Sequence, residues 1–513
     1  MSGPRLGLIG WLRWGWRTLT SMRTALILLS LLALTAIPGS VLPQRGVSSD
    51  PAQVTIFRQD HPGWYPVLDA LWLFDVYSSP WFAAVYILLL ISMTGCVIPR
   101  ALKLWRAVME KPPRPPQNIE RQHGYRRIET PLTVPEAQAR LAEELRGRRF
   151  RLRSEPGGLT GEAGYTREFG NLLFHLSLLL LLYGVALGKL NGFESTVIVA
   201  EGAQFSNTRS QYDSFAPGAL FSDERMTQFS LNLKSLEAEF EAEGQDRGSP
   251  RQFRADVEAN LPDGSSRSQV IQVNQPMTID GTKVFLTGNG YAPRFTVRDG
   301  RGQVVFQGPA VFLPLDGNMT SEGVIKVPDA LPEQLAFEGL FLPTATIDPQ
   351  TGPTSSFPGP LDPRALLTVF TGDLGLDSGV PQSVYTLLKD DLTQLREGKE
   401  PLAMALTVGQ TATLPEGRGS ITLDGVSRFA NFQVASDPGK ELALIAGLLL
   451  LTGLTISLAV RRRRIWIRLA PADDGSAIVE LAALALTRRG LPDGELDRIA
   501  SLLDAKNELA QQK

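Results

Sequence analysis

Residues 169–188 read FGNLLFHLSLLLLLYGVALG, and their reading decides the fold. An uncharged apolar run of this length, at 1.5 Å of helical rise per residue, crosses the roughly 30 Å hydrocarbon core of a bilayer. Working outward in both directions, three more runs share this character. The expected spans are 24–42, 81–98 (opened by Pro80), 169–189 and 442–460. None carries a charge before its last residue. The first run is longer than a signal-peptide core, and Pro38-Gly39-Ser40 is a poor cleavage pattern, so it reads as an uncleaved anchor.

Lysine and arginine fix the direction of each crossing. Arg5, Arg13, Arg17 and Arg23 precede the first span, and Arg100, Lys103, Arg106 and Lys111 follow the second. Arg151, Arg153 and Arg167 precede the third, and Arg461 to Arg464 follow the fourth, whereas loop 43–80 holds only Arg45 and Arg58. Cytoplasmic flanks are the basic ones, so both termini and segment 99–168 are expected inside and segment 190–441 outside. The arginine run 461–464 reads as an anchor on anionic lipid. Trp11, Trp14 and Trp16 among arginines mark 1–23 as an interfacial segment on the inner leaflet.

Bulk composition excludes several functions. The formal net charge of -2 gives no electrostatic case for nucleic acid. One cysteine, Cys96, rules out an internal disulfide or dithiol redox pair. With only His61, His123 and His175, a metal site of several histidines from this chain is excluded, and a two-histidine site needs a ligand from a partner.

The soluble parts differ in pattern. Between 190 and 441, runs such as STVIVA (195–200), RQFRADVEANL (251–261), TKVFLTG (282–288) and RFTVRD (294–299) alternate apolar and polar residues between turn signals. Short strands at such spacing predict an antiparallel sandwich or open barrel. Within it, Pro343–Gly359 reads as an irregular loop and Ser383–Leu395 as a short helix. The region lacks histidine and cysteine, which points to binding and not to reaction. Segment 43–80 is aromatic-rich and reads as a short amphipathic helix on the bilayer or under the outer domain, or as an apolar platform beside a cofactor. Segments 120–168 and 461–513 each lack a full core and are expected to pack together. The fold class is therefore a polytopic α-helical membrane protein with four transmembrane helices, a large extracytoplasmic all-β domain and a small cytoplasmic α+β domain.

His175 lies about six residues into the third span, roughly 9 Å deep. An imidazole there is costly without a partner. It can bond a neighbouring helix, relay a proton (although no span offers Asp or Glu to continue the chain), or ligate metal, haem being the flat apolar group that suits a helix cleft. Cys96 is a small packing residue or a haem-proximal thiol. His61, in Asp60-His61-Pro62-Gly63, faces a cofactor or solvent, and His123, near Arg121 and Arg126, reads as surface.

Several strings converge on one family: TSMRTALILLSLLALTAIPGSVLPQR (20–45), DVYSSPWFAAVYILLLISMTGCVIPR (75–100), EFGNLLFHLSLLLLLYG (168–184), NQPMTIDGTKVFLTGNGYAP (274–293) and SDPGKELALIAGLLLLTGL (436–454) before RRRRIWIR (461–468). Together they resemble the ResB family, called CcsB in other bacteria and Ccs in plastids, of the System II pathway of cytochrome c maturation. The resemblance implies a multi-pass subunit of the bacterial cytoplasmic membrane that pairs with a ResC (CcsA) partner. It implies haem b, held transiently and shared, moved outward and joined by thioether bonds to the CxxCH cysteines of apocytochrome c, with thiol-reducing proteins as further partners. His175 would supply one axial ligand and the partner the other; Cys96 and His61 are weaker cofactor contacts. The chain would be a non-catalytic or co-catalytic subunit of a cytochrome c haem lyase, with no acid–base triad of its own. The alternatives are a membrane scaffold or sensor whose β-rich outer domain binds a ligand without haem, and a transporter. The transporter is disfavoured by the absence of charges within the spans and of an internal repeat.

Overall fold

In the computed structural model, residues 7–45, 52–122, 124–348, 352–378, 382–487, 490–492 and 494–503 are described; His123 lies outside them. The chain divides into two units, Met1–Ala186 with Gly439–Lys513, and Leu187–Pro438. The helices are α1 (Leu8–Leu19), α2 (Met22–Val41), α3 (Ala52–Asp60), α4 (Tyr65–Ala70), α5 (Pro80–Met109), α6 (Val134–Gly147), α7 (Thr166–Asn191), α8 (Lys440–Ala459) and α9 (Glu495–Ala500). Four of them, α2, α5, α7 and α8, are long and apolar enough to cross a membrane. Ser21 caps α2 by accepting from Thr24 N, and Ser79 caps α5 by accepting from Phe82 N, with Pro80 in its first turn. α5 runs through Pro99 to Met109, well past the expected span edge. The proline removes one backbone donor, and the good helix formers Arg100, Leu102, Lys103 and Leu104 carry the helix on.

Residues 43–45 and 52–79 form a cap on the ends of α2 and α5. Buried Gln44 donates to Leu73 O (2.8 Å) and accepts from Val76 N (3.0 Å), while Arg45 bridges Asp69, Asp75 and the Tyr65 hydroxyl. Inside the cap Tyr65 stacks on fully buried Phe74 and Phe57 meets that ring edge to face, whereas Trp64 and Trp72 are exposed.

The membrane-proximal soluble part is one five-stranded antiparallel sheet. Its order is Arg126–Thr130, Ala477–Ala485, Arg463–Pro471, Gly158–Ala163, Arg151–Glu155. Segment 120–168 thus supplies three strands and the tail supplies the two between them. α6 and α9 cover one face through Leu141, Leu145 and Ile499 against Ile465, Ile467, Val479 and Leu481.

The second unit is β-rich. A long antiparallel sheet runs in the order 392–394, 364–372, 335–342, 321–327, 312–314, 282–291, 428–436, 193–200, 214–217. It is shared by two cores. Phe205, Leu231, Val257 and Ile271 pack on Val284, Leu286 and Phe432; Phe295, Phe312, Phe337, Leu367 and Ile421 pack around Tyr291. Strand Thr282–Tyr291 passes from the first core to the second across a register shift between Leu286 and Gly288. Such a bulge re-aims the side chains that follow it. Two expectations fail here. Residues 383–395 form no helix: Leu392–Gln394 pairs at the edge of Arg364–Gly372, while Leu387 and Leu392 pack on Phe370. Their apolar spacing serves that edge. Pro343–Gly359 is not irregular throughout, since Ala345–Asp348 and Gly352–Ser355 form a two-stranded ladder.

Candidate functional site

α7 meets α8 along a stripe of small residues. Gly170, Ser177 and Gly184 are the buried small positions of α7, seven residues apart; Gly170 meets Gly453 and Gly184 meets Ala443 of α8, whose own buried positions are Ala446 and Gly453. The backbones approach so closely that a Cβ on Gly170 would lie 2.7 Å from Ser457 N and 2.8 Å from Gly453 O. Small residues allow this contact in lipid, where packing and not water drives association. At about 100° per residue, His175 projects roughly 140–180° around α7 from the residues of this stripe. α8 therefore does not cover it.

The His175 ring is half-buried, and its Nδ1 lies 2.8 Å from the Asn171 carbonyl one turn earlier. A carbonyl oxygen can only accept, so Nδ1 carries the proton and a neutral ring keeps its lone pair on Nε2. Among the described residues no side chain hydrogen-bonds Nε2. Phe174 meets the ring edge to face at 5.2 Å between centroids. The arrangement is chemically that of a neutral imidazole oriented by one nitrogen and available for ligation by the other. This fits one axial position of a haem iron. Among the described residues no group of three or more His, Cys, Asp or Glu could hold a metal ion, so further ligands would come from elsewhere.

The other candidates lie apart in role. Cys96 is part-buried on α5, with Sγ 3.5 Å from Met93 O, and next to it Gly95 is packed against Thr20 and Trp16. His61 is exposed in the cap, where its ring stacks on Phe57 at 4.6 Å. Among the described residues, no hydrogen bond or ring contact joins either to His175.

Two features of the site escape the sequence reading. Tyr86 on α5 donates from its hydroxyl to Leu182 O on α7 at 2.6 Å. At the foot of α7, Glu162 is 1% exposed and pairs with Arg462 (2.6 Å) and Arg464 (3.0 Å), and Arg462 also reaches Glu168 at 3.1 Å. Arg463 pairs with Glu495 at 2.6 Å. Three arginines of the run expected to grip lipid are thus held inside the protein. Arg151 and Arg462 both stack on Tyr165, at 4.5 and 5.0 Å. Burial, together with Glu162, pushes the Tyr165 phenol above its ordinary value. Arg462 ties the end of α8 to the start of α7, which carries His175.

A family model described as the ResB-like family matches residues 22–497. The chain belongs to this ResB-like family. Among its relatives, "Cytochrome c biogenesis protein CcsB" of Gloeobacter violaceus is 25% identical over 278 residues, covering 52% of this chain and 54% of that protein. "Cytochrome c biogenesis protein Ccs1" of Rhodomonas salina is 23% identical over 285 residues, 52% of this chain and 58% of that protein. A CcsB of Synechococcus sp. strain JA-3-3Ab is 28% identical over 195 residues, 36% and 38% of the two chains. The chain spans about half the length of the curated relatives it matches.

Proposed function

We propose that this chain serves cytochrome c biogenesis as a haem-handling membrane subunit, with His175 as one axial ligand to haem in transit. The observation that carries the reading is the His175 ring itself. Its Nδ1–H is committed to the Asn171 carbonyl, its Nε2 has no polar partner among the described residues, and the ring lies on the side of α7 away from the α8 contact. The names of the relatives support the pathway.

In this reading haem is cargo and not a resident cofactor. A ResC-type partner supplies the second axial ligand, and α7 holds the imidazole in the tautomer that ligation requires. The basic flanks support a reading in which the five-stranded sheet and both termini are cytoplasmic and the β-rich unit is outside, where it would hold apocytochrome c near the emerging porphyrin edge. No residue here is asked to act as acid or base in thioether formation.

The test is spectroscopic. The chain is co-expressed with its partner in a host lacking its own maturation system, and the complex is purified. A Soret band is expected that weakens in His175→Ala and recovers with added imidazole, alongside loss and recovery of haem-stained holocytochrome. A band unchanged in His175→Ala would remove the ligand assignment, and the absence of haem in the wild-type complex would favour a scaffold.

A further inference from the structure

The Tyr86–Leu182 bond lies on the side of α7 that His175 faces, and its position has a functional meaning if His175 holds haem, the reading on which this inference rests. We propose that Tyr86 is the outer stop of the seam between α5 and α7. It keeps the ligand of His175 in the inner half of the membrane until the hydroxyl lets go.

The two helices run antiparallel. The end of α5 and its exit lie at the sheet from which α7 starts: Arg151 donates to Met109 O (3.5 Å) and Arg153 to Pro112 O (3.4 Å). At the other end Tyr86 reaches the Leu182 carbonyl. Seven residues back along α7 from Leu182 is His175, on the same face and about 10 Å deeper. Seven residues along α5 from Tyr86 is Met93, again on the same face and at the level of His175. The seam therefore has two layers, a polar clasp above and the imidazole opposite a methionine position below.

The neighbours of each helix make the clasp the point of release. α5 is fixed to the α1–α2 junction by Ser92, which donates to Leu19 O at 2.5 Å, and by Gly95 against Thr20. α7 is fixed to α8 by the glycine stripe. Among the described residues, no other side-chain hydrogen bond joins α5 to α7. The Leu182 carbonyl also accepts within its own helix, so the hydroxyl bond is an addition that α7 does not need for its fold. In hydrocarbon a phenol has few other acceptors, so the bond stays closed unless a competing group reaches the hydroxyl. A planar macrocycle lying in the seam cannot pass outward while that bond bridges it.

The experiment measures haem loss from the purified, haem-loaded complex to excess apomyoglobin. Tyr86→Phe, which keeps the ring, is expected to lose haem about three- to tenfold faster, the worth of one interhelical hydrogen bond, with the Soret position unchanged. Tyr86→Trp, which keeps bulk and an N–H donor, is expected to retain haem at least as well as wild type. Wild-type loss rates in Tyr86→Phe, with haem still dependent on His175, overturn the stop and leave the haem reading intact. Fast loss from both variants with a shifted Soret band means disturbed ligation and also overturns it. A wild-type spectrum in His175→Ala sinks both ideas together.

Discussion

Replacing Gly170 by alanine asks how much of the membrane fold rests on the α7–α8 contact. Alanine is the better helix former by about 0.8–1 kcal/mol, so in an open position the change stabilises. At Gly170 the added methyl would sit 2.7 Å from Ser457 N, 2.8 Å from Gly453 O and 2.8 Å from Ile456 Cβ. Ordinary carbon contacts need about 3.5–4.0 Å, so α8 must retreat by roughly 1 Å. Two of the three atoms are backbone and cannot swing aside. Overpacking of this kind costs about 1–3 kcal/mol, and the retreat also loosens the Gly453 and Gly184 contacts. The net expectation is a loss of up to about 2 kcal/mol. Gly447, on the same α8, is the internal control, since a Cβ there meets nothing within 4 Å. Gly447→Ala should be neutral or slightly stabilising. Both are measured on the detergent-purified chain by unfolding in mixed micelles of rising SDS fraction, followed by far-UV circular dichroism. If Gly170→Ala proves as harmless as Gly447→Ala, the close contact is not what joins these helices.

Glu162→Gln tests the clasp at the foot of α7. Losing one charge leaves Arg464 without its buried counter-ion and Arg462 with Glu168 alone, each arginine side chain being 18% exposed. A cost of about 2–4 kcal/mol is expected, below the full buried-pair value because water reaches the guanidiniums. Limited proteolysis should release the tail, whereas Glu416→Gln at an exposed pair should change nothing. Alkaline pH tests the second β core. Burial pushes the Tyr291 phenol up to about 12 from 10.0, partly offset by Arg428. A folded value above the unfolded one gives stability that is complete below pH 10 and lost as pH rises through 12. The shift of two pH units corresponds to about 2.7 kcal/mol. Urea unfolding of the β signal should show the decline between pH 10 and 12 in wild type and a shallower one in Tyr291→Phe.

The four spans are legible in the sequence because a bilayer demands an uninterrupted apolar run, and nothing in the tertiary structure can substitute for it. α2, α7 and α8 begin and end within a few residues of the expected edges. Turn-spaced alternation likewise marks the β-rich character of the region between α7 and α8. What fails is whatever a distant residue decides. The arginines at 462 and 464 look like a lipid anchor locally, and only the fold brings Glu162 to them. Residues 383–395 carry a helical spacing of leucines, but an edge strand takes them. The glycine stripe was available as a signal, Gly170, Ser177 and Gly184 recurring every seven residues. Tyr86 offered none, since its partner is a main-chain carbonyl ninety-six positions away.

The polar groups of the spans also bear on what His175 is for. Thr94 donates to Leu90 O, Ser177 to Leu173 O, Thr452 to Leu448 O and Thr455 to Leu451 O. Each hydroxyl turns its proton onto the preceding turn and leaves hydrocarbon only a weakly polar oxygen. His175 makes the same backward bond with Nδ1, but its ring retains a second nitrogen whose lone pair is a strong acceptor. A polar residue kept for packing or for helix bonding has no need of that atom, and serine would do the same service with less desolvation. A donor from a neighbouring helix would offset the cost, yet none of the described residues provides one. Under the proposed function, haem iron taking the Nε2 lone pair would offset it.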